Sequence, residues 1–123
     1  MNRETILKKL KELDLDRNEY IIISGASLVV HGLLDKTGDI DLSCSQEYYD
    51  SLDWKLKVGL FDSEIKYYKD FEIGPNFNWL DDIDIIEGFR FMGLKNCLKL
   101  KLIENKAKDK EIIKKLKSIL NKE

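Results

Sequence analysis

Residues 39–43 read Asp-Ile-Asp-Leu-Ser and alternate strictly between polar and apolar. That period of two belongs to a β-strand with one wet face and one buried face. It sends Ile40 and Leu42 into a core and puts Asp39 and Asp41 side by side on the opposite face. Strand rise places the two carboxylates about 6–7 Å apart. At an effective dielectric near 20 they repel by about 2–3 kcal/mol, a penalty that a divalent cation removes. Mg²⁺ prefers carboxylate oxygens, usually one or two of them completed by substrate phosphates. An exposed strand edge gives the same pattern with no ligand, so the flanking residues decide.

The pattern occurs again at Asp81-Asp82-Ile83-Asp84-Ile85. There Asn78, Trp79 and Leu80 precede it and no glycine-led helix follows, so Asp82 and Asp84 are expected in a loop or on an edge strand. The first copy has a different context. A β-branched run at 20–24 reads as a buried strand and leads into Gly25-Ala26-Ser27, then a short helix from near Ser27 to near Gly32. Small residues at a strand-to-helix turn let backbone N–H groups approach a phosphate, and the Ser27 hydroxyl can add a hydrogen bond. A phosphate cradle beside two metal-binding carboxylates makes the parts of a nucleotide–Mg²⁺ site.

The remaining elements follow from periodicity and caps. Ile6, Leu7, Leu10 and Leu13 recur at helical spacing, with Asn2 as the cap. Ser45 can cap a helix over 46–57 that turns Tyr48 or Tyr49, Leu52 and Leu56 inward. Strands are expected near 64–68 and 71–73, a turn at Gly74-Pro75-Asn76-Phe77-Asn78, and a last short strand within residues 86–92. A helix runs from Leu94 to about Glu104, buried along Leu94, Leu98 and Leu102 or along Cys97 and Lys101. Asp109 caps a final helix carrying Ile112, Ile113, Leu116, Ile119 and Leu120 on one face. The fold class is α+β, a small mixed sheet with helices packed against it.

At 123 residues the chain matches one domain, divided into a core at 20–92 and a helical part at 93–123. Charged residues make up 36% and apolar residues 43%, which excludes a disordered chain, and no apolar run reaches the roughly 20 residues of a membrane helix. The first helix is charged and unlike a signal peptide. Cys44 and Cys97 form no metal or redox motif and read as packing residues of a reduced, cytoplasmic protein. From Lys95 onward ten lysines face four acids, a balance of +6. The rest carries 11 basic and 19 acidic residues, a balance of −8. A basic tail attracts phosphates, and it is equally the solvated face of a helix.

These residues resemble the nucleotidyltransferase superfamily, whose fold is that of DNA polymerase β and the minimal nucleotidyltransferases. The family pattern is an apolar residue, Gly, Gly or Ser, nine to thirteen residues, then Asp-apolar-Asp/Glu-apolar. Here Ile23-Ser24-Gly25-Ala26 is followed by residues 27–38 and then by Asp39-Ile40-Asp41-Leu42. Ala26 departs from the pattern. Ser27 is similar to a Gly-Gly-Thr-Ala variant found in a subgroup with abortive-infection toxins. That subgroup often ends with a helix lysine followed by Arg-x-Lys-Asp and another helix. Lys101, Lys106 (lysine for arginine) and Lys108-Asp109 fall on those positions. The resemblance spans about residues 20–120.

The resemblance implies a third carboxylate on a neighbouring strand. Glu72, between Phe71 and Ile73, fits it, with Asp70 as the runner-up. It also implies transfer of NMP from an NTP to a hydroxyl of RNA, protein or a small molecule. Asp39, Asp41 and Glu72 would hold two Mg²⁺ ions, with Glu72 able to act as base. Gly25, Ala26 and Ser27 would face the triphosphate, and Lys101, Lys106 and Lys108 would neutralise it. Many relatives act in toxin–antitoxin or phage-defence systems. No separate acceptor domain fits in this length, so a homodimer or partner protein would supply one. The competing expectation is a catalytically reduced nucleotide-binding or protein-interaction module, motivated by Ala26 and by glutamate at 72. His31 reads as a capping or packing residue, and the paired tyrosines 48–49 and 67–68 as half-buried packing.

Overall fold

In the computed structural model, which describes residues 1–59 and 62–122, α1 (Arg3–Glu12) starts where Asn2 accepts a hydrogen bond from the Thr5 amide at 2.9 Å. The strand β1 (Tyr20–Ile23) follows, then α2 (Ser24–Val30), β2 (Ile40–Cys44) and α3 (Gln46–Ser51). Next come β3 (Lys55–Val58), β4 (Glu64–Tyr68), β5 (Phe71–Pro75), β6 (Ile83–Ile86) and β7 (Phe89–Met92). The helices α4 (Leu94–Glu104) and α5 (Lys110–Leu120) close the chain, joined through a 3₁₀ turn at Ala107–Asp109. The strands form one mixed seven-stranded sheet in the order β3-β4-β5-β2-β1-β7-β6. The fold class is therefore α+β, as expected. No helix among the described residues is long and apolar enough to cross a membrane.

Alternation along each strand divides the core between the two sheet faces. Tyr20 and Ile22 of β1, Ile40 and Leu42 of β2, Phe71 and Ile73 of β5, and Phe89 and Phe91 of β7 join α1 and Tyr49 in one cluster. Ile21, Ile23 and Met92 point the other way and pack against Cys97, Leu100, Ile112 and Leu116 of α4 and α5. Asp39, Asp41 and Ser43 lie on that second face, as do Glu72 and Gly74. There α4 and α5 roof β1 and β7, and a cleft of ≈ 680 Å³ opens over β2 and β5. Cys44 and Cys97 are buried free thiols, one in each cluster.

Three expectations are corrected. The helix over 46–57 stops at Ser51, and residues 55–58 form an edge strand against β4. The spacing of Leu52 and Leu56 suggested a helical stripe, but Leu56 is 59% exposed. The second helix begins at Ser24 instead of near Ser27. The turn at 74–78 starts later, because Gly74 and Pro75 stay paired with Ser43 and Cys44. The last short strand expected within residues 86–92 is present as β7, and it forms a hairpin with β6, turned at Glu87-Gly88, both with positive φ. A two-residue turn of that kind matches the twist of the strands it joins.

Candidate metal centre and cleft

The β2–β5 register is parallel and pairs Asp41 with Glu72. Adjacent residues in register share a face, so Glu72 points where Asp41 points. Carboxylate oxygens of Asp39, Asp41 and Glu72 all lie within 4.8 Å of one another. Asp70 does not join them. It sits at the turn before β5 and accepts an ion pair from Lys9 of α1 at 2.7 Å, which holds its carboxyl below the usual range.

The trio is electrostatically unsettled. Burial, then the charges of Asp39 and Glu72, push the Asp41 carboxyl up to about 7. Asp39 is raised too, first by burial and then by Glu72. Asp41 Oδ1 is buried with no hydrogen-bond partner, which leaves an acceptor with no donor. Lys57 on β3 bonds Glu72 Oε1 directly. It is the one lysine paired with the trio among the described residues.

The cleft gathers most of the expected site residues. Gly25 borders it, and so does Ser24, which has φ 59°. A left-handed serine at the first residue of a helix is a strained conformation of the kind that concentrates at functional sites. A Cβ on Gly25 would lie 2.6 Å from Thr37 Oγ1, so any side chain there would require Thr37 to move. Ala26 and Ser27 are not in the cleft. Because the helix starts three residues early, both turn into the interior, and the Ser27 hydroxyl donates to the Met92 carbonyl at 2.5 Å. Lys101, Lys106 and Lys108 border the cleft with Glu104 and Asp109. Lys101 Nζ lies 3.6 Å from Glu104 and 3.7 Å from Asp109, both nearly buried, and Lys106 lies 3.4 Å from Glu104. Asp109 is an ion-pair partner and makes no side-chain capping bond to α5.

Lys57, Ser24 and Glu104 are the site residues that sequence reasoning missed. Only Glu104 left a signal, its i,i+3 spacing from Lys101. His31 is structural, as expected. Its Nδ1 meets the Ser27 carbonyl at 2.8 Å and its Nε2 meets Asp84 at 2.9 Å. None of the four paired tyrosines lines the cleft. Comparison of the chain with protein-family models, with curated proteins and with solved structures gives no match.

Proposed function

We propose that this chain is a nucleotidyltransferase-like protein of the polymerase β type, which transfers NMP from an NTP to a hydroxyl acceptor with Mg²⁺. The observation that carries the reading is the convergence of three carboxylates from adjacent strands on one side of a cleft, around a buried carboxylate oxygen that has no donor. This donor set is all oxygen and anionic, the set that Mg²⁺ favours. When bound, the metal supplies charge neutralisation at the triphosphate and activation of the acceptor hydroxyl.

The chain's own groups have separable tasks. Asp39 and Asp41 hold the cation. Glu72 shares it and, with its Oε1 bonded by Lys57, is the carboxylate placed to accept the acceptor's proton. Lys108 faces the triphosphate as a point charge, while Lys106 does so from beside Glu104 and Lys101 from between Glu104 and Asp109, weaker contacts than an unpaired lysine makes. Ser24 and Gly25 bound the cleft where Ala26 and Ser27 were expected. The acceptor oxygen bonds the α-phosphorus as its bond to the pyrophosphate oxygen breaks. Calorimetric titration of the four NTPs with and without Mg²⁺ tests the reading. Binding that requires Mg²⁺ and is lost in Asp39→Asn/Asp41→Asn supports it, and equal behaviour of the two proteins sinks it.

A further inference from the structure

We infer that the far end of the cleft is a nucleobase platform built on Phe77, and this inference rests on the reading of the cleft as a nucleotide site. Beyond the Asp41–Glu72 pair, the next pair in register on the same face is Ser43–Gly74. Gly74 leaves the floor low there: a Cβ would already touch Ile65 Cγ2 at 3.4 Å. The Asn76 amide donates to the Cys44 carbonyl at 2.6 Å, so the chain leaving β5 stays in line with β2. Phe77 follows and is the one aromatic residue lining the cleft among the described residues.

Phe77 is held as a platform has to be. Trp79 stacks on it, with centroids 5.0 Å apart and planes 3° apart. The Lys99 ammonium lies 5.0 Å from the Trp79 ring centroid. Trp79 does not line the cleft, whereas Phe77 does. Phe77 is half-buried, packed against the core cluster beneath α4 and α5 as well as on Trp79, so it is fixed in place where it borders the cleft. Phe77 lies five positions after Glu72, which spans at most about 18 Å of extended chain. An extended nucleoside triphosphate covers that reach, with phosphates at the carboxylate end, ribose over Ser43 and Gly74, and base against Phe77. Every base has a π-face, so a single phenylalanine gives affinity with little base selectivity.

The test is titration of Mg²⁺–ATP and of Mg²⁺–tripolyphosphate, which lacks sugar and base, into wild type, Phe77→Leu, Phe77→Trp and Asp39→Asn/Asp41→Asn. The platform predicts tighter binding of ATP than of tripolyphosphate by wild type. It predicts at least about a 5-fold loss of ATP affinity in Phe77→Leu with tripolyphosphate unchanged, and recovery in Phe77→Trp. ATP binding unaffected by Phe77→Leu overturns it, as does a parallel loss of both ligands. Tripolyphosphate binding that fails only in the aspartate variant, with no added affinity for ATP, overturns the platform and leaves the metal site standing. Binding of neither ligand by wild type overturns both.

Discussion

Asp39-Ile40-Asp41-Leu42 and Asp82-Ile83-Asp84-Ile85 are stretches of one pattern placed at different points of one sheet. The first lies on and just before a strand near the sheet centre, between β1 and β5. The second leads into the edge strand β6. At the edge each acid has a partner. Asp82 accepts the Lys95 amide at 3.0 Å and so caps α4, whose own N-cap residue is Gly93. A Cβ on Gly93 would collide with that carboxylate. Asp84 pairs with His31. At the centre the acids face each other and Glu72, and Asp41 Oδ1 has no donor. Carboxylates that have found protein partners support a fold. Carboxylates forced together without a partner weaken it and call for an external cation.

The difference can be broken at several strengths. The largest effect is on NMP transfer from a labelled NTP. Asp41→Asn lowers turnover by more than the about 100-fold that losing an outer-shell partner of a metal costs, whereas Asp84→Asn leaves it within about two-fold. The next effect is on stability in the absence of metal. A carboxyl whose folded pKa is raised gives stability that is present below its unfolded value, near 4, and is lost as pH rises through about 7. Asp41→Asn does not carry that loss. Urea titrations should find the variant more stable than wild type at pH 8 and the gain much smaller at pH 5, with Mg²⁺ reversing the order at pH 8. A gain independent of pH would contradict the assignment.

Asp82→Ala acts in the opposite direction. Loss of the α4 cap should destabilise by about 1 kcal/mol in the same titrations. The smallest effect belongs to Asp84→Asn, whose half-exposed carboxylate loses only its pair with His31, a change of about 1 kcal/mol or less.

The strand carrying Asp39 and Asp41 was legible because a period of two leaves one choice of face once Ile40 and Leu42 are buried. Glu72 was legible only through family spacing. Nothing local says that β5 runs parallel to β2 in the register that sets Glu72 beside Asp41. Lys57 was hidden because residues 55–58, Lys-Leu-Lys-Val, make an edge strand with all four residues exposed, so their alternation marks no buried face, and the spacing of Leu52 and Leu56 reads equally as a helical stripe. The shift of the phosphate-side residues from Ser27 to Ser24 depends on one left-handed serine, a conformation that serine composition does not announce. The cap at Asp82 and the pairing of Asp84 with His31 needed α4 and α2 to be in place first.

The account turns on whether the central acids, and not the edge acids, bind a divalent cation. The direct measurement is Mn²⁺ binding, followed by loss of the free-ion EPR signal, to wild type, Asp39→Asn/Asp41→Asn and Asp82→Asn/Asp84→Asn. The prediction is binding by wild type and by the edge variant, and none by the central variant. Equal binding by all three, or no binding by wild type, would contradict it.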